Sequence, residues 1–335
     1  MQRTAVALMS GGLDSTLAAK LMLDQGIRVE GLFLSSAWGC DSEVRKVCDE
    51  LNIPLTIVDK GEAYLDLVRN PKYGYGKNMN PCIDCRIYMF ELAKKVLLEK
   101  QADFIVTGEV LGQRPMSQRR EAMVKIDKES EMGGLILRPL SARHLAPTLP
   151  EEKGWVDREK LLGVMGRSRQ PQLQLAGRMA LKEYGSPAGG CLLTDAEFSL
   201  KLRDFFAHNP DVSMNEAKLL RYGRHFRVSE KVKVILGRNR EENEALAELA
   251  DHTMTLFQPL GFPGPVALIT GPVDSSQHEL VASMVLRYSK KAGRGPYQFS
   301  YRKGNGEGNL ALEKPLEGPF PLQIHLSSEL LSIQG

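Results

Sequence analysis

A glycine-rich hexapeptide, Ser10-Gly11-Gly12-Leu13-Asp14-Ser15, joins a short apolar run at 5–9 to a segment with helical apolar spacing at 13–25. Glycines at such a turn let the backbone approach an anion closely. The first turn of the helix offers unpaired N–H groups and the positive end of its dipole. Two serine hydroxyls add donors, and Asp14 adds a carboxylate for Mg²⁺. The hexapeptide predicts a phosphate-binding loop, whereas two glycines alone are equally compatible with a turn that binds nothing.

Around this loop, the first half of the chain alternates apolar strands with amphipathic helices through short links. This order is typical of an α/β domain with a doubly wound parallel sheet. The pattern predicts strands at 5–9, 28–34, 54–58, 103–107 and 135–137, and helices at 13–25, 41–51, 81–100, 157–165, 170–184 and 196–208.

The last third of the chain has a different pattern, which predicts a smaller α+β domain. Strands rich in Val and Ile are predicted at 231–236, 266–270 and 297–301, and helices at 241–252 and 277–291. A polar stretch that contains a proline lies at 209–213. We therefore predict a catalytic domain over residues 1–208 and a second domain over residues 213–335.

Composition excludes several classes of protein. In 335 residues no apolar run approaches the ~18 residues needed to span a bilayer, and no signal peptide is recognisable. We expect a cytoplasmic protein. An odd number of cysteines, five, argues against a disulfide framework.

Two cysteines, Cys82 and Cys85, lie three positions apart after Pro81 at the start of a predicted helix, where the dipole favours thiolate. Such a pair suits a redox dithiol, half of a zinc site or part of an iron–sulfur site. A third candidate, Cys191, follows two glycines. Three thiolates with one open position would suit a [4Fe–4S] cluster with one free iron. The alternative is two buried structural thiols and a loop cysteine.

The remaining cysteines carry weaker signals. Cys48 lies on an apolar helix face, so we predict that it packs in the core. Cys40 follows the second strand at the edge where ligands bind such sheets, so it is a candidate for a sulfur relay.

A second polar segment, Thr107-Gly108-Glu109-Val110-Leu111-Gly112-Gln113, ends another predicted strand on the same edge. Its glycines permit close backbone contact. Glu109 and Gln113 are candidates to bind a ribose, a base or a metal ion. The alternative is a polar surface loop.

The phosphate loop, this Thr-Gly-Glu segment and Arg138-Pro139-Leu140 resemble, in this order, the catalytic domain of the tRNA 4-thiouridine synthases over about residues 1–200. These are PP-loop ATP pyrophosphatases. The cysteine pair with its distant third cysteine resembles the iron–sulfur-dependent branch of tRNA thiolation enzymes.

The resemblance implies a tRNA sulfurtransferase that cleaves ATP to AMP and pyrophosphate and makes 4-thiouridine, at tRNA position 8. It implies Mg²⁺ and a [4Fe–4S] cluster as sulfide carrier, with catalytic roles for Asp14, Cys82, Cys85 and Cys191. The expected partners are tRNA and a sulfide source or cysteine desulfurase, and a homodimer is one assembly open to the chain. The residues expected to bind ATP are Leu8, Met9, Ser10, Gly11, Gly12, Asp14, Ser15, Phe33, Leu34, Thr107, Gly108 and Glu109.

Basic residues cluster in the last third. Residues 218–240 contain eight basic side chains and one acidic one, and residues 287–303 contain six basic side chains, no acidic one and interleaved aromatics. Such runs favour RNA over a merely solvated basic face. The segments 236–243, 262–266 and 288–291 also resemble the RNA-binding domain of NFACT proteins. The predicted RNA contacts are Arg114, Arg119, Arg120, Arg221, Arg224, Arg227, Lys290 and Lys291.

Two other functions stay open from sequence. One is a cluster-free PP-loop enzyme, either an amide ligase or a thiolase that uses a cysteine persulfide. The other is a non-catalytic RNA-binding quality-control protein.

Overall fold

The computed structural model describes residues 2–39, 42–185, 190–209, 211, 213–290, 293–317 and 319–324. The chain divides into two compact units, Met1–Thr194 and Asp195–Gly335, here called the N-terminal and C-terminal units. None of the helices in the described ranges has the length and apolar character needed to cross a membrane.

The N-terminal unit contains a five-stranded parallel sheet in the order β3-β2-β1-β4-β5, which confirms the predicted fold class. Its strands are β1 (Thr4–Leu8), β2 (Arg28–Ser35), β3 (Leu55–Asp59), β4 (Phe104–Thr107) and β5 (Ile136–Leu137). Its helices are α1 (Leu13–Leu23), α2 (Ser42–Leu51), α3 (Gly61–Arg69), α4 (Cys82–Glu99), α5 (Arg120–Glu129), α6 (Leu149–Glu152) and α7 (Gln170–Arg178), with short 3₁₀ turns at Ala142–His144, Arg158–Lys160 and Leu192–Thr194.

Helices cover both faces of this sheet because alternate strand residues point to opposite sides. Ala5 and Ala7 of β1 pack in one apolar cluster with residues of α1, α2 and α7. Val6 and Leu8 pack in the opposite cluster with residues of α4 and α5. The strand order reverses between β1 and β4, and ligands of open α/β sheets bind at the carboxyl ends of strands at such a point.

One predicted helix, 157–165, is wrong beyond a single 3₁₀ turn at Arg158–Lys160. The backbone N–H groups of Leu162 and Val164 donate instead to the carbonyls of Pro139 and Leu140. Pairing with a neighbouring segment therefore replaces the helical hydrogen bonds that the local apolar spacing favoured.

The C-terminal unit contains a six-stranded antiparallel sheet in the order β11-β10-β8-β9-β7-β6. Its strands are β6 (Arg224–Arg227), β7 (Lys233–Leu236), β8 (Thr255–Leu260), β9 (Ala267–Thr270), β10 (Tyr297–Lys303) and β11 (Gly306–Leu312). Its helices are α8 (Ala196–His208), α9 (Met214–Leu219), α10 (Arg240–Leu249) and α11 (Ser275–Arg287). Residues of α11 pack on one face of the sheet, and residues of α9 and α10 pack on part of the other.

The structural division lies one helix earlier than the boundary predicted at 209–213, because α8 belongs to the C-terminal unit. Asp204 of α8 is buried and accepts a bidentate pair of hydrogen bonds from Arg227 at 3.0 and 2.7 Å. It also lies 2.9 Å from Lys233 Nζ. Burial alone would raise the pKa of Asp204, but Lys233 and Arg227 hold it below its usual value. These ion pairs tie α8 to β6 and β7.

Candidate nucleotide site and cysteine cavity

The phosphate loop leaves β1 at the carboxyl edge of the sheet and leads directly into α1. Gly11 has φ +74°, and a Cβ there would lie 2.8 Å from the backbone nitrogen of Val44 in α2. The Ser15 hydroxyl donates to the carbonyl of Gly12 at 2.8 Å and lies 3.1 Å from the Ser10 hydroxyl. Gly12 caps α1 without a side-chain hydrogen bond, so the first N–H groups of the helix stay available to a ligand.

Asp14 points into the cleft with one oxygen paired and one unpaired. Its Oδ2 accepts hydrogen bonds from Gln113 Nε2 at 2.7 Å and from Arg169 Nη1 at 2.8 Å. Its Oδ1 is buried and has no hydrogen-bond partner among the described residues. Because a buried carboxylate oxygen without a partner is costly, this atom fits the role of a Mg²⁺ ligand. Sequence reasoning missed Arg169, which lies 155 positions away and has no local motif.

A cavity of about 140 Å³ adjoins the loop between the ends of β1, β2 and β4. A Cβ on Gly108 would lie 2.5 Å from the backbone of Asp14 and Ser15, so glycine lets the end of β4 pack against the start of α1. Ten of the twelve residues predicted to bind ATP line the cavity: Leu8, Met9, Ser10, Asp14, Ser15, Phe33, Leu34, Thr107, Gly108 and Glu109. The other two are Gly11, against α2, and Gly12, which lines a second cavity.

Glu109 has a different position from the one expected of a ribose ligand. Its side chain is 1% exposed, and its Oε2 accepts a hydrogen bond from Arg138 Nε at 3.0 Å. Its Oε1 lies 3.3 Å from Arg86 Nε. Glu109 therefore forms ion pairs with both arginines, and its buried Oε1 has no hydrogen-bond partner among the described residues.

The second cavity, about 430 Å³, brings Cys82, Cys85 and Cys191 to one wall, here called the cysteine cavity. The two cavities share the lining residues Ser10, Asp14, Arg86, Met89 and Arg114, so they form adjoining parts of one cleft. The cleft thus brings together the phosphate loop and three thiols that are as many as 109 positions apart in the sequence.

Polar side chains surround the sulfurs of the pair on α4. The Cys82 sulfur accepts from Ser117 Oγ at 3.5 Å and from Asn80 Nδ2 at 3.6 Å. The Cys85 sulfur lies 3.8 Å from Lys60 Nζ and 3.4 Å from the Tyr64 hydroxyl. Sequence reasoning missed Lys60 and Tyr64 because they come from the segment between β3 and α4, which carries no motif.

Burial governs the titration of the groups in this wall. Desolvation, followed by the neighbouring Cys85, raises the pKa of Tyr64 well above its usual value. Cys191 is exposed on one side, yet the cavity wall desolvates its thiol and raises its pKa. A metal that binds Cys191 would therefore displace a proton.

Within the described ranges, no group of three or more His, Cys, Asp or Glu side chains is placed to hold a single metal ion. A cubane cluster makes a different demand, since each of its thiolates binds a different iron and the sulfurs stand farther apart than ligands of one ion. The donor set on the wall, three cysteines with no fourth cysteine and no histidine among the described lining residues, fits a [4Fe–4S] cluster with one free iron.

Cys48 does not line this cavity. Cys48 is 1% exposed within the core of the N-terminal unit, as predicted, and burial raises its pKa to about 11. Cys40 lies outside the described residues.

The predicted RNA-binding residues fall into different environments. Arg114 lines the cleft, whereas Arg119 and Arg120 are exposed at the start of α5. In the C-terminal unit, Arg224 stacks over the ring of Tyr288 at 4.9 Å and Arg221 over the ring of Tyr222 at 5.9 Å.

Arg227 differs from the other predicted RNA contacts, because its guanidinium pairs with the buried carboxylate of Asp204. Lys290 is exposed, and Lys291 lies outside the described residues. The first basic run is thus partly neutralised within the unit, since Arg238 and Arg240 also pair, with Glu242 and Glu244.

The fold and the site define an α/β domain with a phosphate loop and a wall of cysteines beside it, followed by an antiparallel α+β unit. Residues 1–144 match the family model described as thiamine biosynthesis protein (ThiI), and residues 223–317 match that of the NFACT protein RNA binding domain. The resemblances stated for the phosphate-loop domain and for the C-terminal segments are thereby confirmed, whereas the resemblance to the iron–sulfur-dependent branch stays a prediction.

Relatives with curated names support the N-terminal match. The tRNA-specific 2-thiouridylase MnmA of Pseudomonas savastanoi pv. phaseolicola is 26% identical over 245 residues, which are 67% of this chain and 60% of that protein. The protein of the same name from Protochlamydia amoebophila is 39% identical over 123 residues, 32% of each chain. The chain thus spans 60% or less of the length of these relatives. A 4-thiouridine synthetase–RNA complex with bound ATP aligns at 21% identity and TM-score 0.40, over 64% of this chain and 53% of that one.

Proposed function

We propose that this protein is an ATP-dependent tRNA sulfurtransferase that makes 4-thiouridine, at position 8 of tRNA, with the cysteine cavity as its sulfur site. The observation that supports this most strongly is the single cleft in which the phosphate loop and three cysteines share Ser10, Asp14 and Arg86 as lining residues. Activation by ATP and delivery of sulfur need this juxtaposition, since the activated base must meet the sulfur nucleophile before water does.

The proposed reaction proceeds in two displacements. The uridine oxygen attacks the α-phosphorus of ATP, which forms an adenylated base and releases pyrophosphate. Hydrosulfide then adds to the activated carbon, and AMP leaves with the former uridine oxygen. The products are thiouridine, AMP and pyrophosphate, and neither displacement changes the oxidation state of sulfur.

Residues of this chain have distinct parts in these displacements. The loop N–H groups and the start of α1 bind the phosphates, and Asp14 Oδ1 holds Mg²⁺ against them. Lys60, 3.8 Å from the Cys85 sulfur, supplies positive charge beside the sulfur site. A [4Fe–4S] cluster held by Cys82, Cys85 and Cys191 would supply an open iron position that binds sulfide, with the sulfide provided by a sulfide source or a cysteine desulfurase.

A direct test is reconstitution with unmodified tRNA. The protein is purified without oxygen, iron and sulfide are counted, and tRNA is incubated with MgATP and sulfide before its nucleosides are separated by mass spectrometry. We expect 4-thiouridine that requires ATP and is matched by equal amounts of AMP and pyrophosphate. A reaction without ATP is the control.

Other outcomes of this reconstitution contradict parts of the proposal. Formation of 2-thiouridine instead of 4-thiouridine would show that this chain has the activity named for the curated relatives. Full activity of iron-free protein with a persulfide donor would show that the reaction does not need the cluster. If tRNA does not stimulate the release of AMP, the protein binds RNA but does not catalyse this reaction.

For the C-terminal unit we propose RNA contact through the part of its sheet that α9 and α10 leave uncovered. A cavity of about 430 Å³ on this face is lined by the polar side chains Gln258, Ser300, Arg302, Glu307 and Asn309. Arg302 is exposed and has no carboxylate within ion-pair distance in the described part of the chain. Amides and hydroxyls beside a free guanidinium suit unpaired bases and phosphates.

We expect the substitution Arg302→Gln to weaken tRNA binding because one phosphate-binding charge on this face is lost. The slope of log affinity against log salt should become shallower by about 1. Binding is measured by a fluorescence titration at several salt concentrations.

Two substitutions serve as comparisons for this test. Arg240→Gln removes an exposed charge that already pairs with Glu244 and should leave the slope unchanged. Arg227→Gln should instead lower the free energy of unfolding by about 1–3 kcal/mol, because Asp204 loses a charged partner. An unchanged slope in Arg302→Gln would contradict RNA contact through this face of the sheet.

A further inference from the structure

Arg86 stands where the two cavities of the cleft meet. It is the first residue after Cys85 on α4, and its side chain lines both the nucleotide cavity and the cysteine cavity. Any ligand that reaches from one cavity to the other passes this side chain.

The position of Arg86 is fixed by a chain of alternating charges. Arg86 Nε lies 3.3 Å from Glu109 Oε1, and Glu109 Oε2 accepts from Arg138 Nε at 3.0 Å. The terminal nitrogens of Arg138 donate to both oxygens of Asp127 at 2.8 and 2.7 Å. Two guanidinium groups and two carboxylates balance one another, so the buried chain costs less than an isolated charge would.

The ion pair with Glu109 leaves part of the Arg86 guanidinium free. Glu109 Oε1 faces the Nε side of Arg86, and the terminal nitrogens of Arg86 have no hydrogen-bond partner among the described residues. A guanidinium whose Nε side faces a carboxylate presents its terminal N–H groups in the geometry that matches phosphate oxygens.

The other two arginines that line the cleft have different surroundings. Arg169 pairs with Asp14 at 2.8 Å, beside the unpaired carboxylate oxygen. Arg114 belongs to the loop after β4, and no carboxylate lies within ion-pair distance of it in the described ranges. Of the two cations that line both cavities, Arg86 is thus the one that forms an ion pair within the described ranges.

We propose that Arg86 forms the subsite for the α-phosphate of the nucleotide, the phosphate that links the nucleoside in one cavity to the group in the other, and that Glu109 positions it. The proposal rests on the nucleotide site of the proposed function. It follows from the junction of the cavities and from the free terminal nitrogens. Glu109 acts through Arg86 and is a positioning residue.

The test compares binding of adenosine and AMP, which differ by that phosphate, to the full-length protein without Mg²⁺. We expect the wild-type protein to bind AMP more tightly, and Arg86→Gln to reduce this preference by about 10- to 100-fold, as expected for charged hydrogen bonds. Affinity for adenosine should stay unchanged. Glu109→Gln should reduce the preference less, and Arg86→Lys should restore part of it because the charge returns without the fork.

Lys95→Gln is the matched control, since it removes one exposed charge from the same helix. A wild-type protein that binds neither ligand would overturn the nucleotide site itself. A wild-type preference for AMP that Arg86→Gln leaves intact would overturn only the role of Arg86. If Arg86→Gln does not fold, Arg86→Lys decides, because an unchanged preference in that variant contradicts recognition by the guanidinium fork.

Discussion

Cys191→Ala should abolish the formation of thiouridine while the protein still binds ATP. Cys191 lines the cavity with Cys82 and Cys85, but it does not line the nucleotide cavity. The loss of one of three sulfur ligands should lower thiolation by more than about 100-fold, the upper range for loss of a metal-site supporting partner. Thiouridine is measured by mass spectrometry of tRNA nucleosides, and ATP affinity by calorimetry on the same preparation.

Cys48→Ala is the control for this experiment, because it also removes a thiol. Cys48 lies in the core beside α1 and β2, away from the cleft, so its loss should cost some stability and leave thiolation intact. Thiolation by Cys191→Ala at the wild-type rate would exclude this cysteine from the mechanism. Equal loss in both variants would show that the effect comes from stability.

Asp14→Asn should nearly eliminate the release of AMP and pyrophosphate in the presence of tRNA. The substitution removes the charge that attracts Mg²⁺ and turns the unpaired Oδ1 position into a neutral group, while a side chain of the same shape stays beside Gln113 and Arg169. Loss of one group that stabilises charge in a transition state costs about 10²- to 10³-fold. The measurement is pyrophosphate release as Mg²⁺ is titrated.

Asp24→Asn provides the comparison at the other end of α1. Asp24 pairs with Lys20 near the surface and lies outside both cavities, so its loss should leave pyrophosphate release unchanged. Wild-type pyrophosphate release by Asp14→Asn at every Mg²⁺ concentration would show that this carboxylate does not hold the metal.

Much of the N-terminal fold could be predicted because its signals are local. The alternating apolar pattern of β1, β2 and β4 and the glycines before α1 are properties of adjacent residues, and they lie where the sequence predicts them. The segment at 157–165 shows the limit of this reasoning. Its helical spacing is overruled by backbone hydrogen bonds to Pro139 and Leu140, which are near only in the folded chain.

For the candidate site as well, local signals predicted some residues and could not predict others. Ten of the twelve predicted nucleotide ligands, Asp14 among them, line the nucleotide cavity, because they follow strands whose carboxyl ends meet at one edge. The partners of Asp14 and the neighbours of Cys85 could not be predicted. Arg169, Lys60 and Tyr64 are single residues without a spacing pattern, and they come from segments that the fold alone brings to the cleft.

A run of basic residues in the sequence does not show which of its side chains are free to bind RNA. Arg227 belongs to a basic run that predicts RNA contact, yet Asp204 on α8 neutralises it. A sequence shows how many charges a run contains. The free energy of each charge depends on the local dielectric and on its partner in the folded chain.

Local patterns in the sequence were enough to predict the parallel sheet, the phosphate loop and three candidate sulfur ligands, since periodicity and turn chemistry act over a few residues. The packing of distant segments places Cys191 in the same cavity as Cys82 and Cys85, pairs Glu109 with arginines, and leaves other cations free. These outcomes depend on contacts between distant segments, whose geometry and desolvation are fixed when the sheet and helices pack together.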